Sequence, residues 1–175
     1  MTCFIMTEYD RLMKQVKSKK LARIVQQCRD IPGKELFQYY DENGHRKTID
    51  SGMVNSYIKD ISGASFTAKD FRTWAGSLHA LEAFEKIGAA DTVTATKKNI
   101  VTALDMVAEQ LGNTRTVCKK YYVHPVIIDL YTNNSLSKYF KKVDEIVACN
   151  TNSELSGSEK ILMKILETSP ATVTL

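Results

Sequence analysis

The chain lacks the features that mark several protein classes. No apolar run approaches the ~20 residues that a membrane-crossing helix needs, and Met1 to Met6 is too short for the core of a secretion signal. Its four cysteines, Cys3, Cys28, Cys118 and Cys149, form no C-x-x-C pair and stand near no histidine pair. They signal neither a zinc site nor a disulfide framework. Reduced thiols in a cytosol are the plain expectation, and with them a cytoplasmic protein. There is no internal repeat, no low-complexity tract and no glycine-rich phosphate loop. No cofactor, no metal and no membrane partner is expected.

What is present has ordinary bulk and a basic lean. At 175 residues, 43% hydrophobic and 25% charged, the chain can bury a core as one domain without disulfide or metal support. Twenty-four Lys and Arg against 20 Asp and Glu leave a net charge of +4, a mild pointer to a polyanionic partner.

Most of the sequence has helical period. From Lys17 to Arg29, Leu21, Ile24, Val25 and Cys28 make one apolar stripe, ended by Pro32-Gly33. In "ELFQYYDENGHRKTID", Asn43-Gly44 separates two short segments rich in Phe, Tyr, Thr and Ile, which predicts a hairpin and the chain's only sheet. Ser51 is placed to cap a helix to about Ile61, closed by Ser62-Gly63. Thr67 precedes a helix carrying Phe71, Trp74, Leu78, Leu81 and Phe84, with Phe71 and Trp74 expected in the core. Thr96 opens a helix that Gly112 stops. A turn leads into a helix bearing two tyrosines, which His124-Pro125 interrupts. Amphipathic segments at about Leu136 to Ala148 and Ser158 to Glu167 follow, then a frayed tail. The expected fold is mainly α with one small β-hairpin.

Three stretches concentrate reactive or ionic groups near helix ends: "FTAKDFRTWAG", "EQLGNT" and "CKKYYVHP". Arg72 lies in the first turns of its helix, and its guanidinium matches two non-bridging phosphate oxygens. Asn113 follows a helix-ending glycine, so its amide projects from a tight turn. Tyr121 and Tyr122 stand behind Lys119 and Lys120, and on these features alone either tyrosine could react. His124 before Pro125 is expected to cap or pack.

With these blocks the sequence resembles the C-terminal catalytic domain of type IB DNA topoisomerases, the bacterial and poxvirus-like branch. "KLARIVQQCRDIPGKELFQYYDENG", "FTAKDFRTWAG" and "LGNT…CKKYYVHP" carry the likeness, over roughly Leu21 to Tyr131. The resemblance implies duplex DNA as partner, a multi-helix catalytic domain of the topoisomerase and tyrosine-recombinase kind, and a site in the nucleoid. It also chooses between the tyrosines. The family's nine-residue step from His or Asn to the nucleophile runs from Asn113 to Tyr122, and its Lys-x-x-Tyr-x-His/Asp-Pro text starts at Lys119 and lands on the same residue. Tyr121 would sit about 100° around the helix, packing or touching DNA.

The roles implied are Tyr122 as nucleophile, Arg72 and Asn113 as stabilisers of the transition state, and Lys69, one turn before Arg72, at the phosphate. A phenol of pKa near 10 is a poor nucleophile at neutral pH and needs such cations. Lys17, Lys19, Lys20, Lys119, Lys120 and Tyr121 are the expected DNA contacts. A tyrosine recombinase is the alternative relative, against which Lys69 and Thr73 stand where its His-x-x-Arg-His text belongs. A DNA-binding domain without chemistry is the non-enzymatic one.

The family also uses an arginine on a preceding helix and a lysine in a Phe-x-Gly-Lys hairpin. Here the nearest echo of the lysine motif is "FIMT", Phe4 to Thr7, with Thr7 in the lysine's place. Residues 1–20 are therefore expected to be a divergent or truncated segment ahead of a catalytic domain at 21–170 and a tail at 171–175. Feeble or absent relaxation by this chain alone is the expected result.

Overall fold

The computed structural model describes residues 3–7, 10–16, 19–141 and 155–169. They belong to two compact units divided between Ala68 and Lys69.

The first unit opens with a hairpin that periodicity did not announce. β1 (Cys3–Thr7) pairs antiparallel with β2 (Asp10–Val16), Cys3 opposite Val16 and Thr7 opposite Asp10, with an irregularity between Ile5 and Thr7. The hairpin at Asn43-Gly44 is thus not the only sheet: "FIMT" and "RLMKQV" are too short and too mixed to stand out from helical text. α1 (Lys19–Arg29) follows. Its Leu21 and Ile24 are 49% and 43% exposed, so the apolar stripe is not enclosed.

β3 (Gln38–Tyr40) and β4 (Arg46–Thr48) form the expected second hairpin, Gln38 opposite Thr48. Its turn is held by Asp41, whose carboxylate accepts the N–H groups of Asn43 and His45 at 3.0 and 2.8 Å. Gly44 supplies the left-handed φ of 77° that the turn requires. α2 (Ser51–Ser62) is capped by Asp50 rather than Ser51. The Asp50 carboxylate, one residue earlier, reaches the Met53 N–H at 2.8 Å.

The second unit is a helical cluster. α3 (Ala68–Ile87) buries Gly76, Ser77, Ala80, Leu81, Ala83 and Phe84. Burial starts only at Gly76, so Phe71, expected in the core, is instead 64% exposed, while Trp74 packs against the core from its edge. α4 (Val93–Leu111) starts one turn earlier than expected, because Thr92 and not Thr96 accepts the amide of its third residue, Ala95.

The two-tyrosine segment is not a single α-helix. It is a short turn, α5 (Arg115–Val117), running into a π turn at Cys118–Tyr122. α6 (Pro125–Thr132) has His124 as N-cap, its Nδ1 accepting from the Val126 N–H at 3.3 Å, and Pro125 in the first turn. α7 (Ser137–Lys141) and α8 (Gly157–Thr168) complete the unit. The expected Leu136 to Ala148 segment is described only to Lys141; its remainder, Lys17 and the tail at 171–175 lie outside the described residues.

Leu81, Phe84, Val107, Cys118, Ile127, Leu162 and Ile165 are fully buried and make one core from α3, α4, the π turn, α6 and α8. At the start of α8, Ser156 and Glu159 form a reciprocal capping box. Hydrogen bonds from the Ser156 backbone and side chain, with a lesser one from Trp74, hold the Glu159 carboxyl below its usual range. Among the described residues no helix is long and apolar enough to cross a membrane. The mainly α class holds, with two small hairpins in place of one.

Tyr131 fastens three helices. Its ring stacks on Phe84 with centroids 4.1 Å apart, its hydroxyl donates to the Gly88 carbonyl at 2.8 Å, and it accepts from Asn99 Nδ2 at 2.8 Å. Tyr131→Phe keeps the stack and orphans both partners. It is expected to cost about 1–3 kcal/mol, read as a lower urea midpoint at unchanged m-value.

Candidate active site

The site is built around the last carbonyl of α4. Gly112 ends that helix in the left-handed region (φ 63°), its N–H returning to the carbonyls of Ala108 and Glu109. A helix leaves its final carbonyls without intrahelical donors. Leu111, the last residue, therefore presents a free acceptor, and two side chains take it: Arg72 Nη2 at 2.9 Å and Asn113 Nδ2 at 3.1 Å. Both side chains are half-buried. Two donors from distant parts of the chain thus converge on one oxygen.

Beyond Asn113 the chain is braced before it reaches the tyrosines. Thr114 caps α5 through the Val117 N–H at 3.3 Å, and Arg115 forks onto Asp105 of α4 at 2.6 and 2.8 Å. The π turn then closes with the Val123 N–H on the Cys118 carbonyl at 2.9 Å. It sends Cys118 into the core and turns Tyr122 under α3. The Arg72 guanidinium carbon lies 4.9 Å from the centre of the Tyr122 ring, a cation–π distance.

Tyr121 meets a different environment. It is 47% exposed, with Lys120 Nζ at 5.0 Å and Lys69 Nζ at 6.0 Å from its ring centre. The two adjacent tyrosines therefore differ in kind: one is half-buried against an arginine, the other lies open between two lysines.

α3 supplies the wall against which the π turn rests. Lys69, Arg72, Thr73, Gly76 and Ser77 follow the 3–4 spacing of one helix face. Thr73 Oγ1, which donates to the Lys69 carbonyl at 3.1 Å, lies 3.4 Å from the Tyr121 carbonyl, and Ser77 Oγ accepts the His124 N–H at 2.9 Å. At Gly76 a side chain is excluded: a Cβ there would stand 2.5 Å from the Tyr122 carbonyl oxygen.

The structure brings together Arg72, Asn113 and Tyr122, with Lys69, Tyr121 and Lys120 beside them. Lys119 lines a shallow concavity with Arg115, Thr116 and Lys120. Lys19 and Lys20 are exposed on α1 of the first unit. Sequence reasoning missed the Leu111 carbonyl, Gly76 and Ser77. A glycine in mid-helix on the arginine's own face was a legible sign of close approach; the role of a backbone carbonyl has no sequence signature.

Two comparisons bear on this arrangement. The family model described as the catalytic core of eukaryotic DNA topoisomerase I matches residues 5–148. The DNA topoisomerase 1B of Acanthamoeba polyphaga mimivirus is 37% identical over 111 residues, which make up 59% of this chain and 33% of the viral protein. The match spans about a third of that relative's length.

Cys118 adjoins the tyrosines yet is fully buried. Burial pushes its thiol pKa up, with the Arg72 charge pulling part of the way back, so it is a packing residue and not a reactive one. A pKa raised by folding stabilises the fold below the unfolded value, about 8.5, and that contribution is lost as pH climbs past it. Stability should therefore fall more steeply above about pH 8.5 in the parent than in Cys118→Ala, measured by urea unfolding of both proteins across that range.

Proposed function

The chain belongs to the DNA topoisomerase I catalytic-core family, and we propose that it is the strand-transferring portion of a type IB enzyme, opening and resealing one strand of duplex DNA through Tyr122. The observation that carries this reading is the convergence of Arg72 and Asn113 on the Leu111 carbonyl, with the same arginine over the Tyr122 ring. A non-bridging phosphoryl oxygen has the acceptor chemistry of that carbonyl and more negative charge. The two donors would stabilise it as charge accumulates on the phosphorus oxygens.

In the proposed reaction the Tyr122 phenol gives up its proton to solvent, its oxygen attacks the scissile phosphorus, and the bond to the 5′ oxygen breaks. A 3′-phosphotyrosyl enzyme and a free 5′ hydroxyl result, the departing oxygen taking up a proton. The phosphodiester's energy is kept in the new ester, so resealing is the reverse step and needs no ATP. Supercoils relax while the strand is open. Lys69 would lie at or beside the phosphate, while Lys119, Lys120, Tyr121, Lys19 and Lys20 would contact the duplex, giving steep salt dependence. Acting on duplex DNA, the protein would work at the nucleoid.

The leaving oxygen's proton is the weak point of the chemistry. The family resemblance gives that task to a hairpin lysine, and the matching position is Thr7, the last residue of β1. A threonine hydroxyl is no general acid for an alkoxide. Cleavage by this chain is accordingly slow, and relaxation at catalytic protein levels is feeble or absent.

Covalent trapping tests the reading. In EDTA, an end-labelled duplex that sheds a short 5′-hydroxyl fragment should give a labelled adduct with the parent and with Tyr121→Phe, and none with Tyr122→Phe. Arg72→Ala should lower its rate by about 10³-fold or more. A duplex with sulfur in place of the bridging 5′ oxygen needs no proton donor, and should react about 10²- to 10⁴-fold faster than the oxygen substrate. Adduct from Tyr122→Phe would refute the assignment of the nucleophile. Equal rates on the two substrates would mean that another group supplies the proton.

A further inference from the structure

The residues above account for charge at the reacting phosphate, but not for what holds the nucleophile at a fixed distance from it. A π turn is wider than an α turn and uncommon, and it is found mostly as single turns, often at functional sites. This one ends at Tyr122, where the chain turns from helical into extended geometry at Val123 (φ −102°, ψ 122°). The carbonyls of Tyr121 and Tyr122 are at the end of a helical segment, where intrahelical donors run out. A main chain in that condition moves unless something outside the turn fixes it.

We propose that Gly76 and Ser77 of α3 are positioning residues that fix the main chain of Tyr122, and with it the phenol, relative to Arg72. Three observations support this. The first is steric: a Cβ on residue 76 would lie 2.5 Å from the Tyr122 carbonyl oxygen and 3.0 Å from both its carbonyl carbon and its Cβ. Those atoms are backbone and the root of the reacting side chain, which cannot swing away as a flexible side-chain tip can. Glycine in a helix interior costs about 1 kcal/mol relative to alanine, and here it admits a backbone approach that no other residue allows.

The second is polar. The Ser77 hydroxyl, 2% exposed, accepts the His124 N–H at 2.9 Å and faces the Tyr122 carbonyl at 3.5 Å. One side chain thus engages the main chain on both sides of Val123. Thr73 adds a longer contact to the Tyr121 carbonyl from one turn earlier.

The third is common origin. Arg72 is on the same helix, four residues before Gly76, and its guanidinium faces the ring of Tyr122. The distance between nucleophile and activating cation is therefore set by one rigid element. Misplacement of a reacting group by about 1 Å can cost roughly 10²-fold in rate.

This inference rests on Tyr122 being the nucleophile, and the test separates the two claims. Gly76→Ala and Ser77→Ala are made in the full chain, and single-turnover adduct formation is measured beside duplex affinity at fixed salt. Gly76→Ala is expected to slow attachment by about 10²-fold and Ser77→Ala by about 10-fold, with affinity within about twofold of the parent. Amide hydrogen exchange at His124 should quicken in Ser77→Ala, while the amides of Leu104 and Val107 in the core of α4 stay protected. Ser77→Thr, which keeps the hydroxyl, should restore slow exchange.

Unchanged attachment rates in both folded variants would overturn the proposal, as would a rate loss matched by an equal loss of affinity. If Gly76→Ala does not fold, Ser77→Ala and Ser77→Thr decide alone. If the parent itself forms no adduct, the functional reading fails, and the proposed hold on the main chain stands or falls on the His124 exchange rates.

Discussion

A helix can bring its own backbone against another main chain only where a side chain is missing, and in this protein α3 meets the carbonyl of Tyr122 in that way at Gly76. The surrounding arrangement follows from that closeness. With α3 against the π turn, the Ser77 hydroxyl reaches His124 and Thr73 reaches Tyr121. Arg72, one turn back, comes over the Tyr122 ring. Any larger residue at position 76 would separate these groups together, because they share one face of one helix. The glycine's conformational cost is small beside the core that backs it, where Leu81, Phe84, Ile127 and Leu162 are fully enclosed.

The second constraint is an orphan acceptor. Helix ends ordinarily spend their free carbonyls on water or on capping groups. α4 instead ends with a glycine cap that leaves the Leu111 carbonyl to Arg72 and Asn113. That carbonyl gives the arginine a defined orientation without neutralising it, as a carboxylate would. A guanidinium carries five donors in a fixed fork, so one bond to a carbonyl leaves it others to offer. Arg115, forked onto Asp105 on exposed surface, shows the contrast: both of its inner donors face a full negative charge. The arginine assigned to chemistry is oriented by a dipole, and the arginine that braces the fold is matched by an ion.

How far the sequence disclosed this differs by kind of feature. Helix existence followed from period, and ends marked by glycine were legible: Gly63 and Gly112 stop their helices in the left-handed region. Starts were harder, because two oxygen-bearing residues often precede a helix and only geometry selects one; Asp50 and Thr92 took the roles assigned to Ser51 and Thr96. Phe71 fits the apolar spacing of α3, but spacing does not reveal where the core begins along a helix. The β1–β2 hairpin has too little alternation to be told from helix. Of the site, Arg72 and Asn113 stood out by residue type and position, Tyr122 was chosen over Tyr121 by the family resemblance, and the fold brings the three together. The Leu111 carbonyl and the π turn were not legible, since both depend on backbone geometry that many sequences could share.

The π turn also bears on why two adjacent tyrosines need not be equivalent. Residues next to each other on any helical turn face different directions, but direction alone would leave both on the surface of a three-residue helix such as α5. Here the turn is anchored at both ends by burial, Cys118 at 0% and Val123 at 4% exposure. Those two residues bracket the tyrosines and set the turn's rotation. One ring is carried beneath Arg72, and the other is left between Lys69 and Lys120. The difference in surroundings between the two phenols thus originates in apolar burial on either side of them, and the charges meet rings that packing has already oriented.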